Sequence, residues 1–194
     1  ACDVSVRPPT SSEKLFGYAG AFCFSKPNDV IVDRRGTAFV ADPVAGSLAS
    51  FNIEEKSFEV LNTPQVAMPL GLGYDKKNDL LGVVDVARKA AYIYQLPEGK
   101  FKFAIGLKDR IFDNPTDIDF DPERERIYVV DSNRGKIFVF DLNGEKIMEI
   151  GAGTATAPGY LFAPTQLDIG PDGLIYVIET FNFRFQVFTP EGES

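Results

Sequence analysis

Apolar and polar residues alternate in short runs along this chain, and turn-forming residues separate the runs. In the clearest stretch, apolar and polar residues alternate over 118–121, an apolar run follows at 127–130, and another follows at 137–140. Pro122 stands in the first gap, and Asn133 and Gly135 stand in the second. A period of two, with β-branched and aromatic side chains between turn residues, predicts β-strands and not helices.

The same stretch occurs four times. Four prolines mark the copies and stand 42, 46 and 49 residues apart: Pro27, Pro69, Pro115 and Pro164. An acidic residue follows each proline 15 or 16 positions later: Asp42, Asp85, Asp131 and Glu179. A further strand is predicted after each of the first three copies, near 57–61, 100–105 and 145–150. Short strands repeated at this interval are typical of β-propeller blades.

The predicted fold class is therefore all-β. A β-propeller of four-stranded antiparallel blades is predicted over 14–194, after an N-terminal tether at 1–13, with blades near 22–63, 64–106, 112–151 and 162–194. Propellers have four to eight blades, and a six-bladed one at this repeat length needs about 270 residues. Three interpretations stay open: the chain is an incomplete part of a six-bladed protein, it joins other chains to close a ring, or it closes with four blades. The segment 14–20 resembles the outer strand of a blade whose other strands lie elsewhere.

The composition excludes several function classes. The 28 acidic residues outnumber the 20 basic ones, and the resulting net charge of −8 repels nucleic acid and anionic membrane surfaces. No histidine occurs among the 194 residues, which excludes Ser-His-Asp and Cys-His nucleophile sets and zinc sites built on imidazole. No stretch approaches the roughly 20 apolar residues that span a bilayer. We predict no nucleic-acid partner.

Two cysteines, Cys2 and Cys23, leave three interpretations open. Ala1 and Cys2, followed by a polar run rich in Pro and Ser, resemble the acylated cysteine and tether of a bacterial lipoprotein, so Cys2 is a lipidation candidate. The alternatives are an ordinary N-terminus and a Cys2–Cys23 disulfide. The lipoprotein interpretation predicts a periplasmic or extracellular location in a bacterial envelope, with the membrane contacted only through that anchor.

Two of the copies resemble the NHL repeat. The stretch 115–141 carries Pro-Thr-Asp-Ile-Asp-Phe-Asp and Ile-Tyr-Val-Val-Asp-Ser-Asn-Arg, and the stretch 164–189 carries the Asn-x-Arg-x-Gln-Val-Phe part of that repeat. The resemblance covers nearly all of 22–190. It implies a propeller and leaves the activity open, because repeats of this family serve scaffolds, nucleic-acid binders and a few enzymes.

Polar residues directly after the prolines are the candidate ligand-binding positions, since the innermost strands of a propeller line its channel. They are Asn28, Asp29, Thr116, Asp117, Thr165 and Gln166. Asp29 and Asp117 are weak candidates for calcium ligands, because Ca²⁺ prefers hard oxygen donors. The alternative is that these side chains bond to backbone amides at strand starts. The repeated acids 42, 85, 131 and 179 are predicted to hold turns, because a position repeated in every blade serves the blade.

The leading functional interpretation is a non-catalytic propeller that binds a protein partner or acts as an assembly scaffold outside the cytoplasm. No complete catalytic set occurs in the sequence, and no cofactor is predicted except calcium in the rival interpretation. That rival is a calcium-dependent enzyme of the six-bladed lactonase or lyase type, which the architecture resembles. Phe181, Phe183 and Phe185 are interpreted either as a binding patch or as packing between blades.

Overall fold

The computed structural model describes residues 24–52, 54–55, 57–61 and 63–194, and these residues form four antiparallel sheets. The predicted all-β propeller is confirmed. The tether at 1–13, the segment 14–20 and both cysteines lie outside the described residues. The one helical element in the described ranges is a 3-10 turn, Thr180–Asn182, so no helix there is long enough to cross a membrane.

The sheets are successive blades, and each has its strands in chain order. Blade 1 consists of β1 (Asp29–Val32), β2 (Thr37–Asp42), β3 (Ser47–Asn52) and β4 (Ser57–Val60). Blade 2 consists of β5 (Pro69–Asp75), β6 (Leu80–Asp85), β7 (Ala90–Gln95) and β8 (Lys100–Ile105). Blade 3 consists of β9 (Pro115–Asp121), β10 (Arg126–Asp131), β11 (Lys136–Asp141) and β12 (Lys146–Ile150). Blade 4 has three strands in the described residues: β13 (Pro164–Ile169), β14 (Ile175–Glu179) and β15 (Arg184–Phe188).

The apolar runs of the central strands are buried on both faces. In β10, Ile127 and Val129 pack into the core shared with blade 2, whereas Tyr128 and Val130 pack into the core shared with blade 4. Successive side chains of a strand point to opposite faces of the sheet. A blade between two neighbours therefore needs apolar residues on both faces, at consecutive positions of the strand. This explains why the second and third strands read as continuous apolar runs.

The inner strands of blades 2 and 3 approach each other closely at two glycines. A Cβ atom on Gly71 would lie 2.6 Å from the Cα of Asp117, and one on Gly73 would lie 2.5 Å from the carbonyl oxygen of Ile118. Neither distance is compatible with a side chain, so glycine is required here by packing against the neighbouring backbone. Packing against blade 3 therefore explains why the inner strand of the second copy has two glycines.

Blades 1 and 4 each leave one face uncovered in the described residues. Val30 and Val32 are 58% and 57% exposed on the face of blade 1 that points away from blade 2. Ile178 and Phe185, which are cross-strand partners in blade 4, are 47% and 67% exposed on the face that points away from blade 3. The two end blades thus do not bury these side chains against each other as the other neighbours do.

Candidate functional site

The four innermost strands surround a central channel. Its cavity of about 550 Å³ is bordered by side chains from all four blades, including Asp29, Asp117, Asp119, Gln166 and Tyr176. Three of the six positions predicted from the sequence therefore line one cavity. Asp119 was not singled out by the sequence analysis, although it stands in the same alternating strand as Asp117.

The channel aspartates link each blade to the next. The Asp29 carboxylate accepts a hydrogen bond of 2.7 Å from the Leu72 amide, and the Asn28 side-chain amide donates to the Leu70 carbonyl at 2.9 Å. In the same way, the Asp117 carboxylate accepts a hydrogen bond of 2.9 Å from the amide of Leu167, which lies 50 residues further along the chain. These side chains therefore hold neighbouring inner strands together.

Asp119 repeats the arrangement one step further along the channel. Its carboxylate accepts from the Ile169 amide at 2.9 Å. Blade 2 has Gly71 and Gly73 where blade 3 has these two aspartates, so its inner strand meets blade 3 by direct backbone packing. Inner-strand carboxylates thus occur at the blade 1–2 and blade 3–4 contacts, and glycines occur at the contact between them.

Burial changes the acidity of these carboxyl groups. Desolvation raises the pKa of Asp117 well above its ordinary value, and the nearby Asp29 carboxylate raises it further. Desolvation also raises the pKa of Asp29, while the amides of Leu72 and Val30 lower it. For Asp119, burial raises the pKa to about 6. Burial in the channel therefore disfavours the ionised forms of these carboxyl groups.

The remaining predicted rim residues have local contacts. The Thr165 hydroxyl lies 2.7 Å from the Thr180 hydroxyl, and the Thr116 hydroxyl donates to the Pro164 carbonyl at 3.5 Å. Gln166 is exposed to the channel. Within the described ranges, no group of three or more acidic residues is placed to hold a metal ion. The carboxylates at 29 and 117 are instead engaged by backbone amides.

The repeated acids tie the second strand of each blade to the loop before its proline. Asp131 is fully buried and accepts from the amides of Asp113 at 2.6 Å, Asn114 at 3.1 Å and Arg134 at 3.0 Å. Asp42 accepts from the corresponding amides of residues 25, 26 and 45, and Asp85 accepts from those of residues 67, 68 and 88. Each carboxylate therefore holds a turn and an incoming loop together.

Glu179 connects the second strand of blade 4 to the preceding loop, and it accepts hydrogen bonds from side chains as well as from a backbone amide. It accepts from the Phe162 amide, from Arg184 Nε and from Gln186 Nε2, each at 2.7 Å. Burial alone would raise the pKa of Glu179, but these hydrogen bonds hold it below the usual value. Arg184 also donates to the carbonyls of Thr156 and Tyr160, which anchors the small-residue loop at 151–159.

An ion-pair cluster that the sequence analysis missed joins blades 1 and 2 at their outer rim. Asp79 accepts from Arg34 at 2.9 Å, from Arg35 at 2.6 Å and from the Tyr74 hydroxyl at 2.7 Å. Arg35 also pairs with Asp33 at 2.7 Å. The bond from Arg35 is the largest cause that lowers the pKa of Asp79, to about 2. Arg34 and Arg35 lie 45 and 44 residues before Asp79, so no local sequence pattern indicates this contact.

The exposed face of blade 4 has an aromatic border. Phe181, Phe183 and Phe185 are 69%, 95% and 67% exposed, so none of them packs between blades in the described structure. Phe185 is the cross-strand partner of Ile178, and Phe181 and Phe183 lie in and directly after the turn between β14 and β15. The far edge of β15 has no paired strand in the described part of the chain. Exposed apolar area next to an unpaired strand edge is typical of a protein-binding surface.

Solved structures share this fold at low sequence identity. A virginiamycin B lyase from Staphylococcus aureus aligns at a TM-score of 0.69 and 18% identity, over 87% of this chain and 54% of its own. A streptogramin B lyase aligns at 0.71 and 17%, over 92% and 55%. The hydrazine synthase of Kuenenia stuttgartiensis aligns at 0.63 and 16%, over 90% and 56%. Identity this low shows the propeller fold alone.

This chain spans about half the length of the solved structures it matches. No protein-family model matches the sequence, and no curated protein matches it. The fold and the contacts described above are therefore the basis for the function proposed next.

Proposed function

We propose that this chain is an NHL-type propeller that works as a protein-binding and assembly module through the uncovered faces of its end blades. The observation that carries the proposal is the apolar face of blade 4, where Ile178 and Phe185 are 47% and 67% exposed beside Phe183 at 95%. Soluble proteins rarely leave such a patch uncovered unless it binds a partner.

The repeat predicts what kind of partner fits this face. The corresponding faces of blades 1, 2 and 3 are each buried by the next blade, and Leu48, Ile93 and Ile137 are fully buried in those three contacts. The face of blade 4 is therefore shaped to receive another blade. The uncovered face of blade 1, with Val30 and Val32, presents such a surface on the same chain, so a second copy is the partner proposed.

Sedimentation velocity over a range of protein concentrations tests this proposal. The wild-type chain is expected to associate as its concentration rises, and the double variant Ile178→Ser, Phe185→Ser is expected to stay monomeric. Ile147→Ser is the matched control, because Ile147 is also 47% exposed but lies on the outer strand of blade 3. A wild-type chain that stays monomeric, or a control that dissociates equally, would contradict the proposal.

A calcium-dependent lactonase or lyase activity in the channel is the second candidate. The observation that favours it is the pair of buried carboxyl groups of Asp117 and Asp119, whose raised pKa values suit proton transfer. A thermal shift measured with Ca²⁺ and with a chelator tests it, with Asp29→Asn as the comparison. An unchanged melting temperature in both conditions would leave this candidate without its metal.

A location outside the cytoplasm, with lipid attached at Cys2, is also part of the proposal. It rests on the Ala1-Cys2 pair and the polar run that follows, as described from the sequence. Mass spectrometry of the protein expressed in a bacterium with its native upstream sequence tests this. The added mass of acyl chains is expected on the peptide that contains Cys2 and should disappear in Cys2→Ser.

A further inference from the structure

A second cavity lies between blades 1 and 2, away from the channel carboxylates. Its volume is about 550 Å³, within the range of small-molecule sites. Its apolar wall comes from both blades: Phe39 and Leu48 belong to blade 1, and Leu81 and Leu96 lie in or beside blade 2. Each of these four side chains is at most 4% exposed. We call this space the blade 1–2 cleft.

The cleft is also lined by a tyrosine whose hydroxyl has no partner among the residues that the structure describes. Tyr94 is 2% exposed, and no described residue forms a hydrogen bond with its buried hydroxyl oxygen. Its ring packs edge-on against Phe101 at 5.9 Å between centroids, which holds the side chain in place. Burial raises the pKa of Tyr94, so the hydroxyl keeps its proton at neutral pH and is able to donate or accept. A buried hydroxyl without a partner is unfavourable, and a hydrogen bond from a bound ligand would remove that cost.

The outer border of the cleft is acidic. Glu54, Glu55, Glu59 and Glu98 line it and are exposed. The remaining charged groups among the described lining residues are Asp33 and Arg35, so five carboxylates face one guanidinium, a net charge of −4. That guanidinium already pairs with Asp33 and Asp79.

The position of two of the acidic residues is fixed by the turn. The Asn52 side-chain oxygen accepts hydrogen bonds from the amides of Glu54 and Glu55, both at 3.0 Å, which orders the start of the turn between β3 and β4. The Asn52 side chain therefore holds the backbone amides of Glu54 and Glu55, two of the residues at the border of the cleft. Fixed negative charge beside a partly enclosed apolar space favours a cation over a neutral or anionic compound.

We propose that the blade 1–2 cleft binds a small organic cation that has an apolar or aromatic body, an ammonium group at one end and a hydrogen-bonding group at the other. The body would occupy the space against Phe39, Leu48 and Leu81. The ammonium group would lie among the glutamates at the border, and the hydrogen-bonding group would pair with the Tyr94 hydroxyl. This site is separate from the channel and from the end faces of blades 1 and 4.

Three related compounds test the proposal by NMR titration of the isotope-labelled chain. Tyramine carries the ammonium and a phenolic hydroxyl, phenethylamine lacks the hydroxyl, and 3-(4-hydroxyphenyl)propionate replaces the ammonium by a carboxylate. We expect saturable shifts of blade 1 and blade 2 amides with tyramine, about threefold to tenfold weaker binding of phenethylamine, and at least tenfold weaker binding of the propionate.

Two variants assign these differences to residues. Tyr94→Phe should remove the preference for tyramine over phenethylamine without loss of stability, because it deletes an unpaired hydroxyl and keeps the ring. The double variant Glu54→Gln, Glu55→Gln should reduce the preference for the cation over the propionate. Tyr128→Phe is the matched control, since Tyr128 is a buried tyrosine packed between blades 3 and 4. It should leave all three affinities unchanged.

The proposal is overturned if tyramine gives no saturable shifts in blades 1 and 2, or if the propionate binds as tightly as the cation. It is equally overturned if Tyr94→Phe retains the full preference for the hydroxyl compound. Because none of these measurements depends on self-association, a failure here leaves the assembly proposal untouched, and the reverse also holds.

Discussion

Replacing Asp131 by alanine should strongly destabilise the fold. The Asp131 carboxylate is fully buried and accepts hydrogen bonds from the amides of Asp113, Asn114 and Arg134 at 2.6, 3.1 and 3.0 Å. Alanine leaves three amides without an acceptor. An unpaired buried amide costs about 1–3 kcal/mol, and water reaches part of these three because Asp113 and Asn114 are half-buried and Arg134 is exposed, so the expected total loss is about 2–3 kcal/mol. Asp131→Asn keeps one acceptor oxygen and should lose about half as much.

Urea unfolding, followed by circular dichroism in the β region, measures the free energy of unfolding of these variants. Asp141→Ala is the matched control: Asp141 also accepts hydrogen bonds from turn amides, those of Asn143 and Glu145, but at an exposed turn where water replaces the carboxylate. The control should lose less than about 1 kcal/mol. A loss below about 1 kcal/mol for Asp131→Ala, or an equal loss in the control, would refute the view that this acid holds the incoming loop.

Three further predictions follow from the inner strands and the rim. Gly73→Ala should lower the free energy of unfolding by more than about 2 kcal/mol, because its Cβ would lie 2.5 Å from the Ile118 oxygen; a smaller loss in urea unfolding would mean that the strands separate easily. The pKa of Asp119 is raised to about 6, so the wild-type free energy of unfolding should rise as pH falls from 7 to 5, and Asp119→Asn should reduce that rise, with the remainder due to Asp117; an equal rise in the variant would contradict this. The pKa of Asp79 is lowered to about 2, so its contribution, about 2 kcal/mol, should be present above about pH 4 and lost towards pH 2; an unchanged acid limb in Asp79→Asn would contradict this.

The two carboxyl groups act on stability in opposite directions because their surroundings differ. Asp119 is desolvated in the channel, and this burial outweighs the backbone hydrogen bonds that it accepts, so its ionised form is disfavoured in the folded protein. Asp79 has two guanidinium partners and a tyrosine hydroxyl, so its ionised form is favoured. The maximum of stability is therefore expected between about pH 4 and 6, where the first is protonated and the second is not.

The sequence was a good guide to everything that depends on neighbouring residues and on the repeat. Alternation over 118–121 and the apolar run at 127–130 predicted β9 and β10. The repeated acid is the last residue of the second strand in each blade of the structure. Glycines within a strand are typical of close backbone approach, and Gly71 and Gly73 do lie close to the backbone of blade 3. These features follow from the period of a strand and from turn chemistry, which are local properties.

Contacts between blades were beyond the sequence. Nothing in the local pattern around Arg35 indicates that it meets Asp79. Nothing around Tyr94 indicates that its hydroxyl is buried without a partner in the part of the chain that the structure describes. The sequence left open whether the aromatic residues 181, 183 and 185 form a surface patch or pack between blades. Only their exposure in the structure shows that they do not pack between the described blades. Such contacts depend on how each sheet is rotated against the next.

The order of blades, the strands within them and the repeated acids were thus determined by the sequence alone, because hydrophobic alternation and turn residues act over a few positions. The tertiary structure decided which channel carboxyl groups bind backbone amides, which acids change their pKa, and where a cleft and two uncovered faces remain. The physical reason is that burial and the geometry of groups more than 40 residues apart exist only after the sheets have packed around a common axis.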